Sequence, residues 1–179
     1  MARYLALLGS INVGGNRLAM SELREALARE DFEDVETVVA SGNVLFTHEP
    51  RPSEGLADKI AYVLKDRFDI ASTVIVLTRD ELAATLAESP FADCEGKAVH
   101  VHFLAGQPTG AQFDALVADH AGRGSERIAP GTRALHIDFA AGVADSKLTG
   151  PFMERRLGFK GTARNRRSLQ RILDKMDAA

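Results

Sequence analysis

Tyr4-Leu5-Ala6-Leu7-Leu8 runs into Gly9-Ser10-Ile11-Asn12-Val13-Gly14-Gly15-Asn16-Arg17, and this stretch sets the reading of the chain. Five apolar or aromatic residues in a row read as a buried central strand. The segment after them carries Met20, Leu23 and Leu27 at helical spacing, with Ala26 beside them. Ser21 is placed as its N-cap and Glu22 in its first turn. The polar run between is therefore a strand-to-helix loop. Gly14, Gly15 and Asn16 are the residue types that reach positive φ at least cost, so the backbone turns sharply there and presents its N–H groups. Such a loop at a helix start can cradle an anion.

Working outward, Val35 to Val39 and Val44 to Phe46 are β-rich runs. Ala40-Ser41-Gly42-Asn43 between them reads as a hairpin turn. Pro50 and Pro52 break the chain, and Ser53 is a cap for a helix with Leu56, Ile60, Val63 and Leu64 inside. Thr73 to Leu77 returns as a strand. The order β-α-β-β-α-β, complete by residue 77, is that of a ferredoxin-like plait. Thr78-Arg79-Asp80-Glu81 has the spacing of a capping box and opens a connecting helix that ends before Pro90, so helix and loop fill 78–98. From 99 the pattern recurs. Val99 to Leu104 is a strand, and Thr109-Gly110-Ala111-Gln112 is a second capping box. Ser125 to Ile128 and Ala134 to Phe139 pair around Pro130-Gly131. A helix then starts at Ser146 or Gly150, with Pro151 in its first turn and Gly158 as terminator. Leu169, Ile172, Leu173 and Met176 mark a C-terminal helix within 160–179, where a fourth strand would stand. The fold class is thus α+β: two ferredoxin-like units, 1–77 and 99–159, the second incomplete.

The 179 residues are 45% hydrophobic, enough for a packed core. No apolar run approaches the ~20 residues of a membrane span. The N-terminus passes straight into a strand pattern without the apolar core of a signal peptide. Cys94, the single cysteine, forms no internal disulfide. These features read as a soluble cytoplasmic protein that takes no membrane partner. The net charge of −3 hides an asymmetry. Between Arg155 and Lys175 stand eight basic residues and one acid, which leaves 14 bases and 24 acids elsewhere. The basic segment either docks on the acidic body or offers a surface to nucleic acid.

The glycine loop is not a P-loop, which needs Lys-Ser/Thr after its last glycine, nor a G-x-G-x-x-G fingerprint. His100 and His102 alternate on one strand, His136 and Asp138 on another. The alternation places all four on the open sheet face, with Val99, Val101, Phe103, Leu135, Ile137 and Phe139 toward the helices. Nitrogen and oxygen ligands so placed suit zinc. A polar sheet face is the plainer reading, and neither metal nor cofactor is assigned. Asp93 and Glu95 flank Cys94 and would raise a thiol pKa, so it reads as an ordinary cysteine. Tyr4 and Phe46 stand where plaits stack single-stranded RNA, but Ser41 to His48 carries one aromatic, too few for that mode. In Gly161-Thr162-Ala163-Arg164-Asn165-Arg166-Arg167, Asn165 or Thr162 is placed to cap the last helix. Three arginines crowd its positive end, which favours an anion or carboxylate nearby.

Three motifs together resemble the bacterial "domain of unknown function 1697" family: Ile11-Asn12-Val13-Gly14-Gly15-Asn16, Ser41-Gly42-Asn43-Val44 and Gly161-Thr162-Ala163-Arg164-Asn165. Ser146-Lys147-Leu148-Thr149 and Glu154-Arg155-Arg156-Leu157-Gly158 are similar to it as well. The resemblance implies two plait-like halves with C-terminal helices and no established activity. Two places depart from the family pattern. Gly9-Ser10 replaces Arg-Gly before the first motif, and Arg166-Arg167 replaces Trp-Asn after the last. Functionally, the sequence points first to a binding protein for an anionic or phosphate-bearing small molecule. Asn12, Gly14, Gly15, Asn16, Arg17, Asn43, Lys147, Arg164 and Asn165 are its candidate ligand-binding residues. Nucleic-acid binding through the basic segment is the alternative, and an enzyme acting on a phosphorylated or carboxylated metabolite is the third. No residue stands out as a general base.

Overall fold

The computed structural model describes residues 1–12, 17–140 and 142–178. The chain divides into two compact units, Met1–Leu82 with Arg171–Ala179, and Ala83–Gln170. Among the described residues, no helix is long and apolar enough to cross a membrane.

The first unit runs β1 (Ala2–Leu8), α1 (Met20–Ala28), β2 (Glu33–Val38), β3 (Ala40–His48), α2 (Ser53–Phe68) and β4 (Val74–Thr78), followed by the start of α3 (Arg79–Glu88). Its sheet has the order β2-β3-β1-β4, and every pairing is antiparallel. Side chains alternate across a strand, so Tyr4, Ala6 and Leu8 share one face with Val44, Phe46, Val74 and Val76. That face meets Leu23 and Leu27 of α1 and Leu56, Ile60, Val63 and Leu64 of α2. Phe46 stacks on Tyr4 at 5.4 Å and meets Phe32 edge-on at 4.9 Å. Both sheet aromatics are 2% exposed or less, which removes the stacking platform that an RNA-binding plait needs.

Three local expectations of the first unit change: to begin with, Pro52 and not Ser53 stands at the cap of α2, and Ser53 Oγ donates to Glu81. Helix α1 begins at Met20, with Ala19 as its cap and no side-chain cap, so Ser21 lies inside it. Ala40 to Asn43, expected as a turn, belong to β3. The reversal is made by Val39 alone, at φ +67°. Thr37 pairs with Val44 and Val38 with Ala40, so Ser41, Gly42 and Asn43 have no counterpart on β2, while Asn43 pairs with Leu7 of β1. The glycine and asparagine serve a bulge, not a tight turn.

The second unit contains β5 (Val99–Leu104), α4 (Gly110–His120), β6 (Arg127–Gly131), β7 (Ala134–Asp138), α5 (Gly150–Leu157) and β8 (Gly161–Asn165). The last helix, α6 (Arg166–Ala178), follows. Its sheet order, β6-β7-β5-β8, reproduces that of the first. The second plait is therefore complete: residues 161–165, expected as part of the C-terminal helix region, form the fourth strand along β5. Strand β8 is polar and short. Its extended form comes from pairing with β5, not from an apolar alternation of its own. Both expected capping boxes are present, with Thr78 facing Glu81 and Thr109 facing Gln112. Gly158 ends α5 at φ +81°. Leu104, Leu135, Ile137 and Phe139 pack with Phe113 and Leu116 of α4 and with Phe152, Met153 and Leu157 of α5.

The turn between β6 and β7 lies at Thr132-Arg133, beyond the expected Pro130-Gly131, with Arg133 at φ +49°. Glu88 holds it, accepting from Thr132 N at 2.9 Å and Thr132 Oγ1 at 3.0 Å, with His136 Nε2 at 3.0 Å. Burial acts to raise the Glu88 pKa, but the contacts with His136 and Thr132 outweigh it and hold the carboxyl below its usual value.

Candidate functional site

The anion-cradling residues expected from sequence are distributed over both units. Asn12, at φ +55°, accepts from Leu18 N through Oδ1 at 2.8 Å. Gly14, Gly15 and Asn16 lie outside the described residues, and Arg17 is exposed. Asn43 is buried. In the second unit, Lys147 is exposed in the loop before α5. Arg164 pairs with Val101, which sets it on the sheet face away from α4 and α5. Its Nη1 donates to Thr162 Oγ1 at 2.8 Å and Ala163 O at 2.9 Å, and burial holds its guanidinium below the usual arginine range. Asn165 caps α6 as expected, accepting from Ser168 N at 2.8 Å. Arg166 does not meet a carboxylate: it donates to the carbonyls of Phe91 at 2.6 Å and Cys94 at 2.7 Å. Arg156 is held by Asp119 and lies 3.6 Å from the centre of the Phe152 ring. The basic segment is thus partly consumed in binding its own unit, while Arg155, Lys160, Arg167, Arg171 and Lys175 remain exposed.

The histidines separate. His100 pairs with Ile137 and His102 with Leu135, so both face α4 and α5; His136 pairs with Val101, on the opposite face. The expectation that His100, His102, His136 and Asp138 share one open face is overturned. Both residue sets of these strands are largely buried, so alternation alone does not say which set meets the helices. Among the described residues, no group of three or more His, Cys, Asp or Glu side chains is placed to hold a metal ion. Asp138 instead receives Arg127 at 2.6 Å, and the same guanidinium donates to Cys94 Sγ at 3.1 Å.

With His100 and His102 on the helix side, a hollow of about 390 Å³ opens within the second unit, a size that suits a small ligand. Strands β5, β7 and β8, the loop before α5 and α5 itself all contribute to it. Its walls are mainly apolar, with Ile137, Phe139, Leu148 and Met153, and its polar groups are His100, His102, Ser146, Thr149 and Glu154. Most of these are already engaged. Ser146 Oγ donates to Glu126 Oε1 at 2.5 Å and accepts from Leu148 N at 3.1 Å. Thr149 Oγ1 accepts from Phe152 N at 3.3 Å as the cap of α5. His100 Nδ1 faces Ala98 O at 3.4 Å, and its ring stands edge-on to Phe139 at 5.0 Å.

His102 is different. It is 4% exposed, and its Nε2 has no hydrogen-bond partner among the described residues. The nearest carboxylate oxygen, Glu154 Oε1, is 3.8 Å away, beyond hydrogen-bond reach. Glu154 is itself fixed, since Oε1 accepts from Gly161 N at 2.9 Å. Burial pushes the pKa of both His100 and His102 down, against the weaker opposing pulls of Ala98 O and Glu154, so both rings are neutral near pH 7. Buried polar atoms are rarely left alone in proteins. Of the buried unpartnered atoms in this unit, which include His120 Nδ1, Glu126 Oε2 and His136 Nδ1, His102 Nε2 is the one whose residue lines the hollow.

Comparison with known families agrees with the fold. A family model described as "Protein of unknown function (DUF1697)" matches residues 1–136. The chain belongs to this family. The DUF1697 match ends before α5 and β8, whereas likeness to a solved structure extends further. A conserved bacterial protein, SP0830 from Streptococcus pneumoniae, is similar over 96% of this chain and 97% of its own, with a TM-score of 0.70 and 24% identity. That likeness concerns the fold. Comparison with curated proteins gives no match.

Sequence reasoning marked much of this hollow without assembling it. Ser146-Lys147-Leu148-Thr149, Glu154 and Gly161-Thr162-Ala163, quoted for their family resemblance, all contribute to its wall or stand in its rim. From sequence, His102 reads as part of a polar sheet face. Its true setting depends on the β5–β7 register, which only the coordinates give. A second hollow, about 300 Å³ in the first unit, is lined by residues including Asp31, Glu33, His48, Arg51 and Lys59. Its lining is charged, whereas small-molecule pockets are mostly apolar, which makes it a weaker candidate.

Proposed function

We propose that the protein binds a small molecule in the hollow of its second unit, through a mostly apolar body and one polar head. The observation that carries this reading is His102 Nε2, buried and unpartnered within the wall. A polar group in such a place costs about 1–3 kcal/mol if nothing answers it, and a ligand head would recover that. Ala144, exposed and in the same wall, offers a way to fill the site without touching the core. Ligand-observed NMR with neutral and acidic fragments on the full chain tests the reading. Fragments should bind the wild type and fail to bind Ala144→Trp, while the melting temperature of that variant stays near the wild-type value. Equal binding to both proteins refutes it.

The anionic ligand expected from sequence keeps one specific footing. Thr149 and Gly150, at the positive end of α5, line the hollow, and Lys147 stands between the lining residues Ser146 and Leu148. On this second reading, inorganic phosphate or phosphorylated fragments bind and Lys147→Ala weakens them severalfold. Phosphate binding that ignores Lys147 removes it.

A further inference from the structure

The space between His102 and Glu154 says more about the ligand, on the reading that the hollow is a small-molecule site. We infer that the ligand's polar head is a hydroxyl seated between His102 Nε2 and Glu154 Oε1, so that the site selects alcohols or phenols over acids and over hydrocarbons of the same shape. The two atoms are 3.8 Å apart. That is too far for a direct hydrogen bond; Nε2 is sealed from solvent in this structure, so the head reaches it as the wall parts, and one oxygen roughly 2.7–2.9 Å from each atom then bridges them.

The chemistry of the two protein groups narrows the choice of atom. An ionised carboxylate only accepts, so whatever sits beside Glu154 must donate to it. A neutral imidazole offers one N–H and one lone pair. With Nε2–H as donor, the same ligand atom must also accept. A hydroxyl does both. A carboxylate head would stand against Glu154 as a second negative charge, and a methyl in its place would leave both protein groups unanswered. The other polar side chains of the wall do not compete for the head. Ser146 and Thr149 are bonded to their own backbone neighbours, and His100 faces a carbonyl. The body of the ligand meets Ile137, Phe139, Leu148 and Met153, a lining that suits a ring. A phenol is the simplest molecule with all these properties.

Phenol, toluene and benzoate, titrated by ligand-observed NMR into the full chain, share a ring and differ in the head. Phenol should bind at least tenfold tighter than the other two. His102→Leu should bring the ratio of phenol to toluene affinity close to one while leaving toluene binding in place. Glu154→Gln, which keeps an acceptor for Gly161 N–H, should weaken phenol several-fold and leave toluene unchanged. The His102 ring nitrogens should shift on addition of phenol and not of toluene. Toluene or benzoate binding as tightly as phenol, or a phenol preference that survives both substitutions, overturns the hydroxyl assignment and leaves the site standing. If none of the three probes binds the wild type, the small-molecule reading of the hollow fails with it.

Discussion

Replacing Gly161 by alanine tests the geometry on which the site depends. A Cβ at this position falls 2.1 Å from the carbonyl oxygen of Phe103 and 2.8 Å from His102 Nε2. Carbon–oxygen contacts are comfortable only beyond roughly 3.2 Å, close to the optimum for packed heavy atoms. Strand β8 must therefore retreat from β5 by about 1 Å, because the obstacle is backbone and has no rotamer to yield. The same retreat stretches the bond from Ala105 N to Lys160 O, now 2.9 Å, and the one from Gly161 N to Glu154 Oε1, also 2.9 Å. Each contributes about 1 kcal/mol net, and overpacking adds about 1–3 kcal/mol. The expected loss is about 3 kcal/mol, which for a chain of this size lowers the melting temperature by roughly 6–12 °C. Gly55 provides the control. It lies within α2 with open space where its Cβ would be, so Gly55→Ala should stabilise by about 0.5–1 kcal/mol. Urea unfolding followed by circular dichroism measures both. A Gly161→Ala protein within about 1 kcal/mol of the wild type would refute the close approach of β8 to β5, and the His102–Glu154 spacing would lose its support.

Two further outcomes follow from the same unit. His100 and His102 are both held below the ordinary imidazole value of about 6.5 by burial. The unfolded chain thus binds more protons between the depressed folded values and 6.5, and the stability present above 6.5 is lost as the pH falls through that window. Thermal unfolding from pH 7.5 to 5 should show this decline, and His102→Leu should flatten it; an unchanged slope in the variant contradicts the assignment. Arg166→Ala removes both donors that tie Phe91 O and Cys94 O to the start of α6, each worth about 1.5–3 kcal/mol at most for a charged donor and less where solvent reaches it. Amide exchange around residues 91–96 should rise at least tenfold while exchange in β5 stays slow; uniform protection would show that the tether does not matter.

The fold was largely legible because apolar periodicity and capping residues agree. Thr78 with Glu81 and Thr109 with Gln112 announced α3 and α4, and the strand runs of the first unit fixed its plait. What escaped was whatever depends on a partner. Gly161 to Asn165 carry no alternating apolar pattern, so their strand exists only beside β5. Val39 turns the first hairpin although a β-branched residue at φ +67° is among the least expected choices there. His100 and His102 face the helices, contrary to expectation, because β5 buries both its faces: Val101 is 0% exposed and His102 4%. The hollow draws on four separate stretches of chain, and no local motif announces it.

The outer strands of the second sheet bear on how copies of this protein behave when crowded. β6 and β8, at its two margins, are five residues each. Pro130 in β6 withholds an amide that a neighbour would need, and Arg164 puts a cation into β8. Short margins with a proline or a charge discourage strand addition from a second molecule. The polar composition that hides β8 in the sequence also discourages the sheet from growing by strand addition.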